Sequence, residues 1–212
     1  MNYFEIINKC LVELGYKQVS TFAELTKNDH KKLKNIINII NSTICRYDNW
    51  HFLIRKTTLV LPAGQTEVEN TINGRIISMT IDNQEYDYLV NFADYTAQPI
   101  PQKHFTVNGK NLIFPKFNED KTVNITYYTK NTAVNADGTE KANLEYETDI
   151  SLIPEPYVEP LLVYGACMRL KANPQHVKFS YWYGMYKENL ADMKSQISIS
   201  AKEVPFIKMH RR

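Results

Sequence analysis

Residues 33–61 read LKNIINIINSTICRYDNWHFLIRKTTLVL, and the spacing of their apolar residues changes halfway along. Leu33, Ile36, Ile37, Ile40 and Ile44 recur at intervals of three and four, the stripe of one helical face. Lys31, Lys32 and Lys34 fall on the other side and read as a solvated face. A cap from Asn28 or Asp29 gives a helix over 29–47. Trp50-His51-Phe52-Leu53 then places two large aromatics and a leucine in four residues, a corner where the chain leaves the helix and anchors in its core. His51 reads there as a neighbour of Trp50, not as a ligand or a base. Beyond the corner the run Thr57–Leu61 has strand character and is closed by Pro62-Ala63-Gly64.

Strand signals continue on the C-terminal side. Ile76–Ile81, Asp82-Asn83-Gln84 and Tyr86–Val90 read as a hairpin. His104–Val107, Asn108-Gly109 and Lys110–Phe114 read as a clearer one, since Asn-Gly suits a type I′ turn. Val123, Ile125 and Tyr127 alternate with Thr122, Asn124 and Thr126, the pattern of a strand with one wet face. Residues 131–151 turn polar and acidic, with Asp137-Gly138, Glu140, Glu145, Glu147 and Asp149, and read as a long loop or flexible arm.

Helices return at both ends. Phe4, Ile7, Leu11 and Leu14 share one helical face, and Gly15 supplies the stop. Pro154 and Pro156 bracket the start of a third helix, with Pro160 bending its first turn and Leu161, Leu162, Ala166 and Leu170 facing inward. Gly165 and Ala166 let a neighbouring helix approach closely. After Asn173-Pro174, the series Tyr183, Tyr186, Leu190, Met193 and Ile197 forms a packing seam, against a helix of the same subunit or of the next one. The expected fold is α+β: an antiparallel helical bundle formed by residues 1–55 and 152–197, with an antiparallel β-lobe inserted over 56–151 that ends in the acidic arm 131–151. Residues 198–212 form an extended basic tail containing Phe206, Ile207, Arg211 and Arg212.

Composition narrows the function. The 212 residues are 43% hydrophobic and 23% charged, the balance of a folded chain long enough for a real core. A net charge of +2 gives no overall pull toward nucleic acid or anionic lipid. Fourteen tyrosines against 9 phenylalanines suit surfaces buried only when a partner arrives. Cys10, Cys45 and Cys167 are widely spaced in apolar helical contexts and read as buried free thiols, not as a disulfide or metal framework. No apolar run approaches the ~20 residues of a membrane span, and no secretory signal precedes the first helix. Asn41-Ser42-Thr43 and Asn124-Ile125-Thr126 match the glycosylation pattern without a secretory route to use it.

Chemistry-bearing motifs do not emerge. No phosphate loop, H-E-x-x-H, paired cysteines or G-x-S-x-G is found, and the histidines at 30, 51, 104, 176 and 210 form no helical pair. Glu145 and Glu147 can be drawn as a hydrolase pair, but a catalytic pair needs rigid support and these lie in the acidic arm. An enzyme is therefore not expected, nor a cofactor or metal. Tyr127, Tyr128, Phe105 and Phe114 interleaved with Lys103, Lys110, Lys116, Lys121 and Lys130 form the alternative, a module that binds single-stranded nucleic acid.

The chain resembles the head-to-tail adaptor proteins of short-tailed bacteriophages, the tail-tubular-A-like family. The resemblance lies in Phe4-x-x-Ile7-x-x-x-Leu11-x-x-Leu14-Gly15, in the second helix running into Trp50-x-Phe52-Leu53, in Pro156-Tyr157 leading a helix with Leu161, Leu162 and Ala166, and in the tyrosine-rich last helix with its tail. It implies a structural virion protein at the head-tail junction, assembled in the host cytoplasm. It further implies a homo-oligomeric ring, commonly a dodecamer, that binds the portal protein and further adaptor or tail proteins. DNA would pass through the lumen with transient, non-specific contact, and no membrane is involved. A heterologous ring needs two unlike faces per subunit. The seam Tyr183, Tyr186, Leu190, Met193 and Ile197 is expected as one and the β-lobe as the other. Phe206 and Ile207 are expected as apolar anchors of a portal-docking strap, with Arg211 and Arg212 as its ion-pairing hooks.

Overall fold

The computed structural model describes residues 1–89 and 102–199. The protein is a mixed α+β chain that divides into two compact units, one of residues 1–53 with 131–212 and one of residues 54–130.

The first unit is helical. Helix α1 (Tyr3–Glu13) opens on a capping box, in which the Asn2 side chain accepts from the Glu5 N–H and the Glu5 carboxylate accepts from the Asn2 N–H. It closes through Gly15 at φ +76°, where the Tyr16 N–H reaches the Leu11 carbonyl. Its buried face is Tyr3, Ile6, Ile7, Cys10 and Leu11, which turns Phe4 and Leu14 to a half-buried flank instead of the centre expected for them. Tyr3 fixes that rotation by donating its hydroxyl to the Lys34 carbonyl. Helix α2 (Asn28–Tyr47) buries Leu33, Ile37, Ile40 and Ile44 as its spacing requires. Its cap position is Lys27, without a side-chain cap bond, so neither Asn28 nor Asp29 caps it.

The third helix is interrupted. Helix α3 (Glu155–Val158) runs into a π-helical turn at Glu159–Val163 and then into α4 (Tyr164–Lys171). Pro160 supplies the cause, because it lacks an N–H for the regular ladder. The wider turn still buries Leu161, Leu162 and Val163 against α1 and α2. Helix α5 (Phe179–Ile197) packs along α4, and Gly165 is the point of approach. A Cβ there would stand 3.1 Å from the Tyr186 ring and 3.4 Å from Ile40.

Residues 131–151 are not a free arm. They form a small sheet of β9 (Ala133–Val134) between β10 (Glu140–Lys141) and β11 (Ile150–Ser151), and they group with the helices and not with the β-rich unit. Two asparagines of α2 hold the sheet. The fully buried Asn41 amide donates to the Thr132 carbonyl at 3.0 Å and to its hydroxyl at 3.1 Å, while its oxygen accepts from Ser151 Oγ at 2.7 Å. Asn38 makes a reciprocal pair with the backbone of Leu144, at 2.9 and 2.8 Å.

The second unit carries two four-stranded sheets. One orders β1 (Ile54–Leu61), β8 (Lys121–Thr129), β3 (Gly74–Ile81) and β4 (Gln84–Glu85). The other orders β2 (Glu67–Glu69), β7 (Asn111–Ile113), β6 (His104–Asn108) and β5 (Asp87–Tyr88). Leu61, Met79, Ile81, Val123 and Ile125 of the first meet Phe105 and Leu112 of the second, and Phe114 just past β7, in one core. Three details depart from the sequence reading. The β5–β6 pair is parallel, so the unit is not wholly antiparallel. Asn108 pairs with Asn111, which moves the tight turn to Gly109-Lys110 with positive φ at Gly109 alone, the type II′ pattern. The I′ pattern, positive φ at both central residues, falls instead on Asp82-Asn83 between β3 and β4.

Gly74 opens β3 where the backbone of β8 lies too close for any side chain. An added Cβ would sit 2.3 Å from the Tyr128 carbonyl oxygen and 2.5 Å from the Tyr127 ring. Gly74→Ala should therefore lower stability by about 1–3 kcal/mol, read from the denaturant midpoint. Asn41→Ala should cost about 2–3 kcal/mol, because it strands Thr132 and Ser151 in the core; an unchanged midpoint would refute the clamp.

Candidate functional site

Among the described residues, the helical unit leaves two surfaces that its own packing does not cover. On α5, Trp182 is fully buried, stacks on His176 at 5.1 Å and donates its indole N–H to Glu13 at 3.1 Å. Lys178 Nζ adds a bond to the Glu13 carbonyl at 3.0 Å, so the end of α1 is tied to the start of α5. Trp182 thus sets the rotation of α5. Met193 is fully buried on the same side, and Tyr186, Leu190 and Ile197 are half-buried. Of the five seam residues, Tyr183 alone is turned out, with 49% of its surface exposed. The sequence reading missed Trp182, whose place one residue before Tyr183 was the available signal.

Tyr183 belongs to a groove at the turn between α4 and α5. The groove has a volume of about 370 Å³ and is lined by Met168, Arg169, Ala172, Pro174, Phe179 and Tyr183. Ala172 takes φ +35° to end α4, which lets the chain double back and leaves the groove open. Phe179 and Tyr183 stack nearly parallel, 6.4 Å apart, and Val177 beside them is 91% exposed. Cations sit at the rim: Lys187 Nζ lies 6.0 Å from the Tyr183 ring centre, and Arg169 forms no ion pair among the described residues.

A second surface is the turn between β10 and β11, where Tyr146 is 66% exposed and Ile150 43%. Glu145 and Glu147, its neighbours in sequence, are exposed too. Asp149 builds the turn from inside. Its Oδ2 accepts the N–H groups of Glu145 and Tyr146 at 2.5 and 2.8 Å and pairs with Lys141 Nζ at 3.0 Å, while Oδ1 is buried without a partner among the described residues. Burial pushes this carboxyl up, but the two N–H donors and the ammonium outweigh it and hold the group below the ordinary carboxylate range. Lys141 also pairs with Glu145 at 3.0 Å and lies 4.5 Å from the Tyr146 ring centre. The carbonyls of Glu147 and Asp149 receive the N–H groups of Phe4 and Tyr3, which mounts the turn on the first turn of α1.

Other expected sites are less well placed. Phe105 and Phe114 lie in the β core, 3% and 1% exposed, and cannot stack on bases; Tyr127 and Tyr128 are half-buried. Lys121 is held by Asp82 and Glu119. Phe206, Ile207, Arg211 and Arg212 lie outside the described residues, although the chain leading to them is anchored, with Ile199 N–H donating to Asn49 and Ser198 bridging Trp50. The three cysteines are free and buried; burial pushes the Cys45 thiol up to about 12 and the Cys10 thiol well above its usual value. Among the described residues no group of three acidic, histidine or cysteine side chains could hold a metal ion, and no helix is long and apolar enough to cross a membrane.

The class that the whole chain defines is a phage head-to-tail adaptor, because one family model, described as the SU10 adaptor protein, matches residues 1–205. The chain belongs to the SU10 adaptor protein family and is a structural component of a virion. No curated protein matches it by sequence. The narrower likeness to tail-tubular-A proteins stays a resemblance.

The carboxyl of Asp149 sits lower folded than unfolded, so its stabilisation is complete above the unfolded value of about 4 and is lost as pH falls through the folded one. Asp149→Asn should destabilise by about 1–3 kcal/mol at neutral pH. Its gap from the wild type should close on acidification below about pH 4, as followed by urea midpoints across a pH series.

Proposed function

We propose that this adaptor assembles as a homo-oligomeric ring beneath the portal, joins it to further adaptor or tail proteins, and lets DNA pass through its lumen without catalysing a reaction. The observation that carries this reading is the family match over residues 1–205. The exposed groove at Tyr183 agrees with it, since tyrosine, phenylalanine, methionine and arginine, which line it, are the residues enriched in protein contacts. Tyr186, Leu190 and Ile197 are half-buried further along the same helix, while Met193 serves the subunit's own core. The tail residues Phe206, Ile207, Arg211 and Arg212 complete the proposal as a docking strap for the portal. Short segments of this kind bind through repeated weak contacts, and a ring multiplies them.

Native mass spectrometry of the purified protein, alone and mixed with the portal of the same phage, tests the reading. The expected result is a monomer that becomes a ring of stoichiometric copies on the portal. A chain lacking residues 200–212 should fold alike and attach more weakly. A protein that stays monomeric beside the portal would overturn the ring.

A further inference from the structure

The groove and the Tyr146 turn lie at opposite ends of one rigid element. Glu147 accepts from Phe4 in the first turn of α1, whereas Glu13, the last residue of α1, holds Lys178 and Trp182 beside the groove. Along the helix the anchors at Phe4 and Glu13 are roughly 14 Å apart. Their chemistry is complementary. One is an apolar hollow with Arg169 and Lys187 at its rim; the other is a projecting aromatic ring and an isoleucine beside Glu147. Neither Arg169 nor Glu147 makes an ion pair among the described residues, so each charge is available to a neighbour.

We infer that the occupant of the groove is the Tyr146 turn of a second copy of this chain, with Glu147 meeting Arg169 and the Tyr146 ring seated against Phe179 and Tyr183. This inference rests on the ring proposed above and names the two faces of its subunit contact. The opposite charges pair a groove with a turn and not groove with groove or turn with turn. The ring proposed above uses one groove and one turn at each subunit boundary, whereas a two-fold pair would use both of each at once and stop at two copies. The turn is suited to the part because Asp149 and Lys141 fix its backbone before contact, so little ordering is left to do on binding.

Portal-templated assembly of charge variants, followed by native mass spectrometry, tests the pairing. Both positions are exposed, and thermal midpoints close to the wild type check that each variant folds. Glu147→Lys and Arg169→Glu should each weaken subunit contact by about tenfold or more. The double variant, and equally the mixture of the two single variants, should recover to within about threefold, because a reversed pair is still a pair. Tyr146→Asp mixed with Tyr183→Asp should instead stop at a one-to-one pair, since one contact survives and the next is broken.

Normal assembly of the single charge variants overturns the inference and leaves the ring standing. Loss without recovery in the double variant or the mixture overturns the pairing of these two residues. A wild-type protein that never assembles removes the ring and this contact together.

Discussion

The helical unit depends on the buried amide of Asn41. Three hydrogen bonds join it to Thr132 and Ser151, and Ile153 N–H caps the Ser151 hydroxyl at 3.1 Å. Thr132 also donates to the Ala142 carbonyl and accepts from the Leu152 N–H, so one polar cluster draws together α2, the strands on both sides of the Tyr146 turn, and the approach to α3. A buried amide without such partners would oppose folding, and a complete set makes the arrangement specific. The N-terminus of α1 follows from it, because the segment that α2 holds is the one whose carbonyls receive Tyr3 and Phe4.

That cluster was the least legible part of the sequence. Periodicity finds apolar stripes, and Leu33, Ile37, Ile40 and Ile44 were found by it. Asn38 and Asn41 interrupt the stripe and read as polar flank, since spacing says nothing about which asparagine meets a buried carbonyl. Residues 131–151 were misread for the same reason. Their composition is that of a loop, and their order comes from partners more than ninety positions away. Strand order was also out of reach: β2 is only three residues long, and the parallel β5–β6 pair is a tertiary outcome. What local chemistry dictates was legible, including the Gly15 stop, the Pro160 distortion, the Trp50 corner and the alternation of β8.

The surface of α5 shows how one residue shifts a functional reading. The stripe Tyr186, Leu190, Met193 and Ile197 lies on the inner or bordering side, as spacing required, but its N-terminal member is Trp182 and not Tyr183. Burying the larger indole, whose N–H finds Glu13, leaves the phenol at the surface, where its hydroxyl stays hydrated. The seam thus divides into a packed part that shapes the subunit and an exposed part, Tyr183 beside Phe179.

On the ring reading proposed above, a subunit must avoid indiscriminate association and still join copies of itself. Large apolar patches favour association anywhere, whereas a small groove with charges at its rim gains most when a matching surface arrives in one orientation. The groove here is small and its rim is cationic, and the exposed Tyr146 ring, with Glu147 next to it in sequence, stands at the far end of α1. Complementary faces at opposite ends of one element cannot satisfy each other within a chain, so each subunit leaves one of each kind unused. Such a contact closes into a ring or runs on as a filament according to the rotation between neighbours. For a subunit with this geometry, a symmetric template that fixes the rotation decides between the two, which is the physical role a portal would play.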